Sequence, residues 1–284
     1  MDIFKSIVLI CYNRADKTEA TIKCLRKSYK INEYQLVVVR QEGDDEDCSK
    51  VKCLIDDIDW IPVHHLTTSY SNNETICQKV NANTFKGINY AFEDCKSTMV
   101  FLIEDDILVG YDSLQFVEVM IERYDKDPFF RAVNGFSREA YSKDNLFKYG
   151  KFQFGIGKGV GFSRKKWFSF FKNRWPMGNT SFYDCVLETA IKMGYVIMPY
   201  CSRTCDIGWG GKALNSPNNK TDVFVKNEAS WVKDEQFKLQ DYVYDKDLPF
   251  NFREDCKPFR WYSVLLYVLF RFKRKFLHIK NKFL

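Results

Sequence analysis

Three consecutive carboxylates, Glu104, Asp105 and Asp106, interrupt an apolar run that reads TMVFLIEDDILVG over residues 98–110. An uncompensated buried charge costs several kcal/mol, so three acids at the end of an apolar strand call for a partner. Mg²⁺ and Mn²⁺ suit that place, because both prefer oxygen ligands and keep open positions for water and for substrate phosphates. The plainer alternative is that the acids begin the next helix, where its dipole favours them. That alternative leaves the flanking VFLI and ILV unexplained. A fourth carboxylate, Asp184 in SFYDC, is placed either to act as a general base or to cap a helix. Lys158 lies in FQFGIGKGV, where glycines permit close backbone approach to a ligand and the ammonium can meet a phosphate. No Ser or Thr follows Lys158, so this is not the GxxxxGK[ST] phosphate loop. Trp209 in DIGWGGK is suited to stack on a sugar or to anchor its own loop.

The elements that must hold these residues alternate in type. SIVLIC (residues 6–11) is a short β-rich run, and the periodicity then turns helical, with Asp16 and Glu19 spaced as a capping box. YQLVVVRQ (34–41) is a second buried strand, followed by an acidic loop and a helix over 49–56. WIPVHHL supplies a third or edge strand, and a helix over 81–95 precedes the strand TMVFLI. A helix over 113–124, a strand around FRAVNGF, a helix entered near Phe182 and a strand in YVIMPYCSR follow, and CDIGWGGKALNSPNN reads as a loop. Strands alternating with helices predict an α/β fold with a mainly parallel sheet flanked by helices. Ligands in such sheets bind at the carboxyl ends of the strands, where the acidic triplet falls.

The order of these pieces resembles the nucleotide-sugar half of a GT-A (Rossmann-like) glycosyltransferase. More narrowly it is similar to the N-acetylglucosaminyltransferase I family. The residues that carry the resemblance are SIVLICYNR, NANTFKGINYAF, EDD at 104–106, FQFGIGKGVGFSRKKW at 152–167, RWP at 174–176, FYDC at 182–185 and CSRT at 201–204, across roughly residues 5–210. The resemblance implies that Asp106 touches Mn²⁺ (or Mg²⁺) directly, with Glu104 and Asp105 facing the ribose and sugar of a UDP-sugar. It further implies that Arg14 and Glu42 sit at the uracil pocket and that Asp184 is the general base. Where the family carries an aspartate this chain has Glu42, and where it carries a histidine this chain has Gly87. The implied reaction is transfer with inversion, in which the metal neutralises the leaving diphosphate and one base deprotonates the acceptor hydroxyl.

The 284-residue chain has 45% hydrophobic and 17% aromatic residues, ample for a large core. Its net charge of +6 is misleading, because residues 258–284 carry seven positives and no acid, leaving the body at −1. In that tail, WYSVLLYVLF is too short to span a bilayer, which needs ~20 residues. Beyond it Phe272, Phe276, Ile279 and Phe283 form one helical stripe and Arg271, Arg274, Lys275, His278 and Lys282 another, the pattern of a basic amphipathic helix lying on an anionic membrane surface. A solvated helix packed on the body is the alternative. The expected division is therefore a catalytic domain over 1–255 and a membrane-associating tail over 256–284. Ten scattered cysteines and no signal-peptide pattern at the start point to reduced thiols in a cytoplasmic protein at the inner face of a bacterial membrane. The acceptor expected there is a saccharide linked to a polyprenyl diphosphate, on the way to a cell-surface polysaccharide such as O-antigen or capsule. Two rivals remain: a metal-dependent phosphotransferase or phosphohydrolase on the same triplet, and a nucleic-acid-binding protein using the tail. Against the second, the body has no basic groove to expect, and nucleic acid is not an anticipated partner.

Overall fold

The computed structural model describes residues 5–71, 73–153, 157–179, 193–210, 220–233 and 238–246, together with five isolated positions between 262 and 269. Asp184 and its expected helix, and the aromatic and basic stripes of the tail, lie outside the described residues.

The strands are β1 (Lys5–Cys11), β2 (Gln35–Gln41), β3 (Val63–Thr68), β4 (Met99–Glu104), β5 (Ile107–Val109), β6 (Phe130–Asn134), β7 (Lys148–Phe152), β8 (Val160–Ser163), β9 (Tyr195–Pro199), β10 (Thr204–Asp206) and β11 (Val243–Tyr244). Nine of them form one sheet in the order β11-β7-β9-β6-β8-β4-β1-β2-β3, and β10 pairs with β5 in a second, two-stranded sheet. Strands β3, β2, β1 and β4 are parallel neighbours; β8 then runs antiparallel to both β4 and β6, and β9 is parallel to β6. The sheet is thus mainly parallel with helices on both faces, the expected α/β, Rossmann-like class.

Alternation along each strand builds both cores. Ile7, Leu9, Leu36, Val38, Phe101 and Ile103 face one side, where helices α1 (Ala15–Arg26), α2 (Glu46–Asp56) and α4 (Ser113–Tyr124) contribute Leu25, Val51, Ile55 and Leu114. Val8, Ile10, Val37, Val39, Val100 and Leu102 face the other, against α3 (Ile76–Glu93) and an aromatic group of Phe162, Trp167, Phe171 and Trp175. Trp175, from the RWP segment, packs 5.1 Å from Trp167 between ring centroids and donates its indole N–H to the Asn81 carbonyl. Gly87 is a packing residue of α3. A Cβ there would stand 2.6 Å from Val8 and 2.8 Å from Val39, so nothing larger fits and the position faces core.

Several local expectations need correction. α1 has Arg14 at its N-cap with no side-chain cap, so the Asp16/Glu19 box does not form. α2 starts at Glu46 because Asp45 accepts from the Cys48 amide, and α3 starts at Ile76 because Thr75 and Gln78 make a reciprocal capping box. The glycine-rich segment contains strand β8 in the middle of the sheet. There Gly161 lets Val117 approach, and Gly159, at φ +83°, lies where a Cβ would meet Thr204 at 2.5 Å. At these two positions the close approach is to the protein's own side chains. CDIGWGG is likewise not all loop, since β10 occupies Thr204–Asp206.

Candidate functional site

The chain runs outward from β1 to β2 to β3, then returns to place β4 on the other flank of β1. That reversal opens a crevice at the carboxyl ends of β1 and β4, the position where open α/β sheets bind ligands. Arg14 follows β1 and the carboxylates follow β4. Asp105 and Asp106 are the two residues of the turn between β4 and β5, so they stand where the large sheet hands over to the small one. Their backbone is fixed from three directions: the Asp105 amide donates to the Ile10 carbonyl at 2.9 Å, Thr21 of α1 donates to the Asp105 carbonyl at 2.8 Å, and the Ile207 amide donates to the Asp106 carbonyl at 2.9 Å.

Both side chains are buried, and Arg14 forks across them, donating from Nη1 to Asp106 Oδ2 at 2.6 Å and from Nη2 to Asp105 Oδ1. Burial opposes the Arg14 charge, but Asp106 and Asp105 outweigh it and hold the guanidinium more firmly protonated than usual. Burial also pushes the Asp105 carboxyl up to about 7; Arg14 works against the shift, and Asp106 and Glu104 add to it. The second oxygen of each acid, Asp105 Oδ2 and Asp106 Oδ1, is buried without a hydrogen-bond partner. Two orphaned carboxyl oxygens at a strand end fit a hard divalent cation. Among the described residues no group of three or more His, Cys, Asp or Glu side chains is arranged to hold a metal, so water and substrate oxygens would have to complete its shell. Glu104, half-buried at the end of β4, pairs in register with Ile10.

On the other flank Lys158 precedes β8, whose antiparallel direction brings its first residues to the carboxyl ends of β4 and β6. Its ammonium is paired with Asp206 of β10. Burial lowers the Lys158 pKa, while Asp106 and Glu104 favour its charge. The pairing of β10 with β5 sets Asp206 opposite Ile107, next to Asp106. Gly208 threads between these two acids: its amide donates to Asp206 Oδ1 at 2.8 Å, and a Cβ on it would lie 2.1 Å from Asp106 Oδ2. The carboxylates are therefore flanked by one cation on each side, Arg14 and Lys158. Asp206 had no sequence signal beyond its place after SRT.

The CSRT segment supports this arrangement from behind. Arg203 is fully buried, ion-paired with Asp112 at 2.9 Å, and donates to the Cys201 and Leu146 carbonyls. Asn227, on helix α5 (Asp222–Ser230), accepts from the Asp206 amide at 2.8 Å and donates to Ser137, Ser202 and Thr204.

A cavity of about 350 Å³ opens beside Arg14, lined also by Asn13, Asp16, Lys17, Asp47, Trp209 and Gly210. The ammonium of Lys17 lies 5.6 Å from the centre of the Trp209 ring, which holds the Trp209 turn over α1. Glu42 is exposed at the carboxyl end of β2 and is not among the lining residues. Arg14, Glu104, Asp105, Asp106 and Lys158 are thus gathered at one place, whereas Glu42 stands apart from the cavity wall.

No protein-family model matches the chain, and no curated protein matches it in sequence. Among solved structures it is similar to the mannosyltransferase PcManGT from Pyrobaculum calidifontis in complex with GDP-Man and Mn²⁺, at 15% identity and a TM-score of 0.46, over 70% of this chain and 57% of that one. It is similar also to TarS 1–349 from S. aureus, at 11% identity and a TM-score of 0.47, over 70% of this chain and 59% of that one. The matched region spans less than two thirds of either of those chains.

Proposed function

We propose that this chain is a metal-dependent GT-A glycosyltransferase that moves a hexose or N-acetylhexosamine from a UDP-sugar to a hydroxyl of a lipid-linked saccharide, with inversion. The observation that carries the reading is the pair Asp105–Asp106 at the crevice between β1 and β4, with two orphaned carboxylate oxygens and a cation on each flank. A phosphohydrolase would use a similar acid pair, and the experiment below separates the two readings. In the proposed enzyme Asp106, with water and substrate oxygens, would hold Mn²⁺ or Mg²⁺, which supplies charge neutralisation at the leaving diphosphate. Arg14 and Lys158 orient the diphosphate from opposite sides. Glu104 and Asp105 face the ribose and sugar, Glu42 lies toward the base, and Asp184 takes the proton from the acceptor hydroxyl. The basic tail, residues 256–284, would hold the enzyme to an anionic membrane on the cytoplasmic side, where a polyprenyl-diphosphate acceptor is displayed in cell-surface polysaccharide synthesis.

The test is a panel of nucleotide-sugars with purified protein and Mn²⁺, following thermal stabilisation and nucleotide release with and without EDTA. A bound ligand stabilises by RT ln(1 + [L]/Kd), so the cognate nucleotide stands out even without an acceptor. Metal-dependent stabilisation by UDP and one UDP-sugar is expected. Asp184→Asn should keep that stabilisation and turn over ~10²–10⁴-fold more slowly. Phosphate release without any sugar acceptor, and no stabilisation by any nucleotide-sugar, would replace this reading with a phosphohydrolase.

A further inference from the structure

Arg14 belongs to two sites at once. Its guanidinium forks onto Asp105 and Asp106, and the same side chain lines the cavity walled by Asn13, Lys17 and Trp209. The fork occupies one oxygen of each acid, bridging two carboxylates where a guanidinium otherwise pairs with both oxygens of one, and it thereby takes up acceptors a cation would use. Of the three partners Arg14 is the most exposed. Its side chain is 22% exposed against 3% for Asp105 and 11% for Asp106. The Asp105–Asp106 backbone is tied to Ile10, Thr21 and Ile207, whereas the Arg14 side chain borders the cavity. A phosphate group in that cavity would offer two acceptor oxygens on one group, the bidentate geometry that the bridged carboxylates do not supply.

We propose that Arg14 is an exchangeable latch on the carboxylate pair. Without ligand it neutralises Asp105 and Asp106 and holds them from a cation. When a phosphoanion enters the cavity the guanidinium transfers to it, uncovering Asp106 for a divalent ion and Asp105 for the sugar donor. The latch rests on the nucleotide-diphosphate reading above and adds to it that cation and anion must bind interdependently. Lys17 does not share this part, since its ammonium is turned toward Asp16 and Trp209.

The test is Mn²⁺ affinity of the full chain, measured by calorimetry or by loss of the free-ion spin resonance signal, alone and with UDP. Wild type should bind Mn²⁺ at least about tenfold more tightly with UDP present, and UDP should gain the same factor from Mn²⁺. Arg14→Lys keeps the charge but cannot fork across two acids. It and Arg14→Gln should each bind Mn²⁺ without UDP about tenfold more tightly than wild type, shrinking the added effect of UDP. Unchanged or weaker Mn²⁺ affinity in both variants overturns the latch. Tightening in Arg14→Gln alone also overturns it, because removal of charge then accounts for the gain without any exchange of partners. If Arg14→Gln fails to fold, Arg14→Lys decides alone. A wild-type chain that binds neither Mn²⁺ nor UDP brings down the nucleotide reading itself, an outcome separate from a latch that fails while both ligands bind.

Discussion

Gly208 sits against Asp106 so closely that a Cβ built on it would stand 2.1 Å from Asp106 Oδ2, and its amide is held by Asp206 at 2.8 Å. The backbone of the Trp209 turn is therefore the wall that sets where the Asp106 carboxylate can point. Gly208→Ala must displace that carboxylate, because the terminal oxygen of a side chain yields before a hydrogen-bonded backbone does. The expected result is at least about tenfold weaker Mn²⁺ binding, with a stability loss of about 1–3 kcal/mol from the overpacked contact. Calorimetric titration of Mn²⁺ into the folded variant checks it, and an unchanged affinity would mean that Asp106 is not a metal ligand.

Burial and the neighbouring acids raise the Asp105 carboxyl to about 7 despite Arg14. A carboxyl whose pKa is higher in the fold than in the unfolded chain contributes stability at low pH and loses it as pH rises through the folded value. In the metal-free protein, wild type should thus lose ground to Asp105→Asn between about pH 4 and about pH 7. Excess Mn²⁺ should remove the trend by favouring the charged form. Melting temperatures of both proteins across that range, with and without Mn²⁺, test the sign. A gap that does not move with pH would show that Asp105 is ionised throughout.

What the sequence revealed of this site follows from how far each signal reaches along the chain. The strand ends bearing Arg14 and the triplet were legible because each lies next to a strongly apolar run, and the crevice follows from alternation of strands and helices. Asp206 was hidden because β10 is three residues long and pairs with β5, nearly 100 positions away, so no local pattern marks it. The glycine at 159 is misleading for a related reason. Close approach of backbone to a ligand and to Thr204 require the same residue, and only the fold distinguishes them. The capping box of Thr75 and Gln78 starts α3 ahead of the apolar periodicity that marks a helix from residue 81.

Asn227 joins α5 to the site by four hydrogen bonds, accepting from the Asp206 amide and donating to Ser137, Ser202 and Thr204, with no solvent exposure. Replacement by Ala leaves several buried groups without partners, each costing ~1–3 kcal/mol. Asn227→Ala is expected to lose about 3 kcal/mol in urea unfolding. It should also weaken Mn²⁺ binding by way of Asp206 and Gly208. Asn227→Asp, which keeps the acceptor for the Asp206 amide and loses the donors, should be destabilised yet retain more of the metal affinity than Ala. Equal loss of metal affinity in the two variants would break the link between this network and the carboxylates.

The tail gives the last prediction. Of its residues, Tyr262, Val264, Leu265, Val268 and Leu269 are described, all helical, with Val264 buried and Tyr262, Leu265 and Leu269 exposed. Among the described residues no helix is long and apolar enough to cross a membrane. An apolar stretch too short to span, followed by seven cations and no acid across 258–284, is suited to lie in an interface. Each basic residue near an anionic surface contributes ~1 kcal/mol, so neutralising Arg271, Lys273, Arg274 and Lys275 with Gln should weaken binding to phosphatidylglycerol vesicles by about 10³-fold. Binding to phosphatidylcholine vesicles should be weak before and after. This fourfold variant is preferable to deletion of 258–284, which would also remove the buried Val264. Sedimentation with vesicles at low and high salt reads the difference: loss of salt-sensitive binding in the variant supports a membrane-bound tail. Equal binding of wild type and variant would show that the cations are merely solvated on a helix docked to the protein.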